Sequence, residues 1–140
     1  MILVVDDHVD SANVLTRLLR RSGYETHSTA GGQATLDYLL GGHPAPQLVM
    51  LDVAMPDMSG IECLQTMKRT PELHEIPVLI YSADFTAARL HEALNAGAAD
   101  YIVKGTKPWP DVIALVQKHA RADAEPTVLV ARDRPSYEAG

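Results

Sequence analysis

Apolar residues in this chain gather into short runs, and longer stretches of mixed polarity separate the runs. Residues 2–5, 48–51, 78–81 and 101–103 are dominated by Val, Ile, Leu and Tyr and have the length of buried strands. Residues 24–29 alternate more loosely and predict a further strand. Helical spacing follows each run. In 9–22, Val14, Leu15, Leu18 and Leu19 form an apolar stripe, and Gly23 is placed to end it. A second helix over 34–40 is closed by Gly41, Gly42 and Pro44. Ser59 is positioned to cap a third, with Ile61, Leu64 and Met67 inward and Pro71 beyond its end. A fourth, 87–96, puts Leu90 and Leu94 on one face and stops at Gly97. Pro110 suits the first turn of a fifth, whose inward residues are Val112, Ile113, Leu115 and Val116.

Strand followed by helix, repeated along the chain, predicts the doubly wound α/β class: a five-stranded parallel sheet with right-handed crossovers and helices on both faces. The functional crevice of such a sheet lies outside the carboxyl ends of its strands. The residues that end the strands are Asp6 and Asp7, then Asp52, Ser82 and Lys104. Like charges this close repel by roughly 4 kcal/mol per pair at intermediate dielectric, so three carboxylates call for a cation. Oxygen ligands without paired histidines favour Mg²⁺ or Mn²⁺ over zinc.

Composition narrows the function further. The chain has 140 residues, 46% hydrophobic and 21% charged, which suits one globular domain. Its 12 Lys and Arg against 18 Asp and Glu, net −6, argue against direct binding to nucleic acid. No apolar run is long enough to cross a bilayer, and Asp6-Asp7 follow the first apolar residues where a secretory leader would continue. Cys63 is a single cysteine, so neither an internal disulfide nor a cysteine-based zinc cage is expected, and a cytoplasmic location fits.

Four segments together resemble the receiver domain of bacterial response regulators: Ile2-Leu3-Val4-Val5-Asp6-Asp7, the stretch Leu48-Val49-Met50-Leu51-Asp52-Val53-Ala54-Met55-Pro56-Asp57-Met58-Ser59-Gly60, Tyr81-Ser82-Ala83, and Gly97-Ala98-Ala99-Asp100-Tyr101-Ile102-Val103-Lys104. The resemblance implies a flavodoxin-like (βα)5 receiver over 1–122. Its function would be phosphotransfer from a sensor histidine kinase or histidine phosphotransfer protein onto Asp52. Asp6, Asp7 and Asp52, with the Ala54 backbone carbonyl, would hold Mg²⁺ or Mn²⁺, and Lys104 would add a second positive charge. Ser82 would donate its hydroxyl to a phosphoryl oxygen, an inward movement that in the family is coupled to rotation of Tyr101. The output surface for a downstream protein or domain would span 86–120, and the phosphodonor would dock on the first helix, with Asn13, Thr16 and Arg17 around an apolar patch. Such a chain is a phosphoaccepting signalling module, not an enzyme acting on a separate substrate.

Departures from the family pattern bear on this picture. Gly105 stands where the family usually has proline, so a trans bond or a locally flexible loop is expected after Lys104. Ala54 and Asp84 stand two residues after Asp52 and Ser82, positions that in the resembled family influence how easily water reaches the acyl phosphate. Two other functions compete. A phosphatase of the haloacid dehalogenase class also uses an aspartate nucleophile, but it generally carries a second acid where Ala54 stands. A pseudo-receiver would bind partners without phosphorylation. His8 reads as a loop residue beside the site, and His91-Glu92 as a solvated helix face, because Asn95 replaces the second histidine of a zinc motif. Met55, Met58 and Met67 read as packing residues. Residues 123–140 read as a linker and C-terminal extension: a tail, an arm in a homodimer, or the truncated start of another domain, since Val128-Leu129-Val130 loosely echoes Ile2-Leu3-Val4.

Overall fold

Period-two alternation within each strand organises the architecture. The computed structural model describes residues 1–122, and the expected extension over 123–140 lies outside them. The elements are β1 (Ile2–Val5), α1 (Val9–Arg21), β2 (Thr26–Thr29), α2 (Gly32–Leu39), β3 (Leu48–Leu51), α3 (Gly60–Arg69), β4 (Val78–Ser82), α4 (Ala87–Asn95), β5 (Asp100–Val103) and α5 (Trp109–His119). The strands form one parallel sheet in the order β2-β1-β3-β4-β5. Leu3, Val5, Val49, Leu51, Val78 and Ile80 point to one face, where Leu36 of α2, Ile61, Leu64 and Met67 of α3 and Ala93 of α4 cover them. Ile2, Val4, Leu48, Met50, Leu79 and Tyr81 point to the other, against Leu15 and Leu19 of α1 and Val112 and Val116 of α5. Each fully buried Leu or Ile contributes roughly 2 kcal/mol, and both faces of β1, β3 and β4 are filled this way.

Several elements differ from the sequence expectation for identifiable reasons. The second strand starts at Thr26 instead of Tyr24, because Tyr24 N–H donates to Leu19 O and closes α1. On α1 the buried set is Ala12, Leu15, Thr16 and Leu19, while Val14 is 43% exposed, one step off the inward face. Thr16 is largely buried, its hydroxyl donates to Asn13 O at 3.1 Å, and it lines one surface groove with Asn13 and Arg17. Leu90 and Leu94 share a side of α4 as expected, but they are 38% and 44% exposed. The contact to the core falls on the small Ala93, which lets the helix sit close and leaves the larger leucines outside. Ile113 and Leu115 are half-buried flanks of α5, and Trp109 precedes Pro110 in its first turn.

Candidate functional site

Strand register brings the acids together. Val5 pairs with Leu51, and the ladder runs one bond further, with Asp52 N–H donating to Val5 O at 2.9 Å. Asp6 and Asp52 therefore leave adjacent strands side by side. After β1 the chain turns to the α1 face, and after β3 to the α3 face, so this is the topological switch point where a crevice opens. Gly60 makes the turn after β3 possible. A Cβ there would overlap the Asp52 carbonyl, and Gly60 N–H donates to Val53 O at 2.7 Å. Ser59 then caps α3 in a reciprocal box with Glu62.

Lys104 reaches across from the end of β5. Its Nζ donates to Asp6 Oδ2 at 2.8 Å and to Asp52 Oδ2 at 3.0 Å. Burial by itself would raise the Asp6 carboxyl pKa, but bonds from Lys104 and from His8 N–H outweigh it and hold the group below the usual carboxylate range. Burial likewise opposes the Lys104 charge, and the two carboxylates overcome it, so its pKa lies above the ordinary value. The ammonium also sits 5.7 Å from the centroid of the Tyr81 ring. The Lys104–Gly105 bond is trans, and Gly105 adopts φ +80°.

Asp7 has no such counter-charge. Its Oδ1 is buried without a hydrogen-bond partner among the described residues. One ligand atom each from Asp6, Asp7, His8 and Asp52 lie within 4.8 Å of one another, with His8 Nδ1 3.4 Å from Asp6 and 3.3 Å from Asp7. A set of hard oxygen donors with one orphaned acceptor fits a divalent cation. Ala54 lines the same crevice, where its N–H donates to Asp52 Oδ1 at 3.2 Å.

Ser82 is buried at the end of β4, with Asp84 N–H donating to its Oγ at 3.3 Å. Tyr101 is buried too, and its hydroxyl donates to Asp84 O at 2.6 Å. Burial pushes the Tyr101 phenol pKa up. The structure thus brings together Asp6, Asp7, Asp52, Ser82 and Lys104 as the sequence predicted, with Tyr101 beside them. It adds Tyr81, whose place next to Ser82 at a strand end was the available signal. It also adds Asp57, which carries no local signal. The Asp57 carboxylate accepts from Gly32 N–H at 3.1 Å and Gln33 N–H at 2.9 Å, capping α2 from the loop after β3.

Comparison with known proteins identifies the family. Residues 2–117 match the response regulator receiver domain family, and the chain belongs to it. Two-component response regulator ORR5 of Oryza sativa subsp. japonica is 34% identical over 120 residues, 86% of this chain and 88% of that protein. ORR7 of the same subspecies is 35% identical over 107 residues; the match covers 76% of this chain but 50% of ORR7. The receiver domain of NtrX from Brucella abortus superposes with a TM-score of 0.74 at 30% identity, covering 85% of this chain and 97% of that one. Among the described residues, no helix is long and apolar enough to cross a membrane.

Proposed function

We propose that this receiver accepts a phosphoryl group on Asp52 from the phosphohistidine of a sensor kinase or phosphotransfer protein. The observation that carries the reading is the Asp52 carboxylate, 4% exposed at the end of β3, with Lys104 on one oxygen and Ala54 N–H on the other. An Asp52 oxygen attacks phosphorus, the P–N bond to histidine breaks, and the imidazole leaves with its electron pair and takes a proton. An acyl phosphate results. Transfer of this kind depends on positioning and on neutralising the charge of the equatorial oxygens. Lys104 supplies one positive charge. Asp6, Asp7, Asp52 and the Ala54 carbonyl would hold Mg²⁺ or Mn²⁺, which when bound supplies the other. The Ser82 hydroxyl, whose oxygen accepts from Asp84 N–H, would donate its own hydrogen to a phosphoryl oxygen. A cytoplasmic module that then acts on a downstream protein or domain through the 86–120 surface completes the reading.

Acetyl phosphate or phosphoramidate with Mg²⁺ should add one phosphoryl group per chain, removable by hydroxylamine and visible by intact-protein mass spectrometry. Asp52→Asn should abolish the addition. Equal labelling of that variant would defeat the assignment. Steady turnover of small phosphate esters would point to a phosphatase instead.

A further inference from the structure

Asp84, on the loop between β4 and α4, bonds in four directions. Its N–H donates to Ser82 Oγ at 3.3 Å, and its carbonyl accepts the Tyr101 hydroxyl at 2.6 Å. Its Oδ1 accepts the N–H and the hydroxyl of Thr86, at 3.0 and 2.9 Å. Its Oδ2 accepts Arg89 Nε at 3.4 Å. Arg89 lies in the first turn of α4, and its Nη1 donates to Glu92 at 2.7 Å. With both carboxylate oxygens held, the torsions of Asp84 are fixed and its carbonyl stays aimed at Tyr101. Every bond in this chain of contacts joins protein groups, and none of them involves the Asp52 side chain.

From these contacts we infer that the Asp84–Arg89 pair is a positioning element, which holds Tyr101 inward and ties the Ser82 hydroxyl to the first turn of α4. Breaking the pair frees the Asp84 backbone to turn, the carbonyl loses its aim and the ring gains access to solvent. Its consequence for phosphoryl capture rests on the phosphoacceptor reading above; the ring position does not. A partly exposed pair of this kind moves a two-state equilibrium by up to roughly fivefold.

The test uses the full chain with 3-fluorotyrosine incorporated, the Tyr101 resonance being assigned with Tyr101→Phe. Its solvent isotope shift between H2O and D2O reports exposure. The shift should be small in the parent chain, grow about twofold or more in Arg89→Ala and Asp84→Asn, and return towards the parent value in Arg89→Lys. The Tyr81 resonance, packed near Trp109 at 6.3 Å between ring centroids, monitors the fold and should stay in place. An unchanged Tyr101 shift in Arg89→Ala with Tyr81 unmoved overturns the inference. A second measurement is the initial rate of labelling by acetyl phosphate with Mg²⁺. Arg89→Ala should slow it by up to roughly fivefold, and should add no further loss in a Tyr101→Phe background. Additive losses would overturn the coupling. Absence of labelling in the parent chain would defeat the phosphoacceptor reading instead, with the fluorine result still deciding the clamp.

Discussion

Asp7 and Asp6 are sequence neighbours in opposite circumstances. Lys104 compensates Asp6 at 2.8 Å, whereas the buried Asp7 Oδ1 makes no hydrogen bond among the described residues, has the His8 ring nitrogen 3.3 Å away and faces two further carboxylates. Asp7→Asn should therefore raise the melting temperature of the metal-free protein, because it removes repulsion and supplies an N–H donor. The same variant should lose most of the rise that Mg²⁺ is expected to produce by mass action in the parent chain. Thermal unfolding with and without Mg²⁺ measures both. Lys104→Met should cost on the order of 3 kcal/mol at neutral pH by leaving Asp6 and Asp52 uncompensated. Its pH profile is diagnostic. The depressed Asp6 group contributes stability above its unfolded pKa, near the ordinary 3.8, and loses it as pH falls through the lower folded value. The raised Lys104 group contributes below its ordinary 10.5 and loses it as pH rises through the higher folded value. Melting temperature plotted against pH should thus show a smaller acid decline in Lys104→Met, because protonation relieves its uncompensated carboxylates, and should lack the alkaline decline that belongs to Lys104. The identities of these residues were legible because each ends an apolar run. That Lys104 bridges Asp6 and Asp52 was not, since the bridge depends on how far an amine extends across β4 and β3.

At the scale of elements, local signals located strands and helix ends well where the partner lies nearby. Ser59 and Glu62 sit three positions apart, and the capping box they form follows from that spacing. The start of α2 could not be read this way. Its capping oxygens come from Asp57, beyond β3, so a scan of the preceding residues places the helix start two residues late, at 34 instead of Gly32. The two N–H donors hold the Asp57 pKa below the carboxylate norm, so the cap is present above the unfolded value and is lost as pH falls through the folded one. Hydrogen exchange at Gly32 and Gln33 should accelerate in Asp57→Ala at neutral pH, and in the parent chain only once the carboxylate protonates. A melting temperature lower by a few degrees should accompany the substitution. Equal protection in both chains would mean that the cap does not hold the helix. The exposed side of α4 escaped the sequence for a related reason: helical spacing identifies residues that share a face, but not whether Ala93 or the leucines beside it meet the sheet.

Over the whole molecule, the strand order decides what faces outward near the site. α1 lies on the sheet face shared with α5, and its exposed Asn13 and Arg17 line a separate surface groove with Thr16, Arg20 and Arg21. Substituting Asn13 and Arg17 with alanine should slow transfer from a phosphohistidine donor several-fold while leaving labelling by acetyl phosphate intact, since the small donor needs no docking surface. Equal loss with both donors would indicate damage to Asp52 and its neighbours. The doubly wound class and the edge holding the acids followed from the repeating pattern, because each buried strand must be covered on both faces. The turn after Lys104 was legible only as a departure, glycine in place of proline, and its geometry carries an engineering lesson. Gly105 sits at φ +80°, and Thr106 secures the turn by donating its N–H and hydroxyl to Val103 O at 3.2 and 2.6 Å. Proline fixes φ near −65°, so it cannot enter this backbone as a point replacement. A chimera that imports the Lys-Pro corner of another receiver must graft the corner together with the start of the following helix, and chimeras that exchange α5 should be cut before Lys104, never between Lys104 and Thr106.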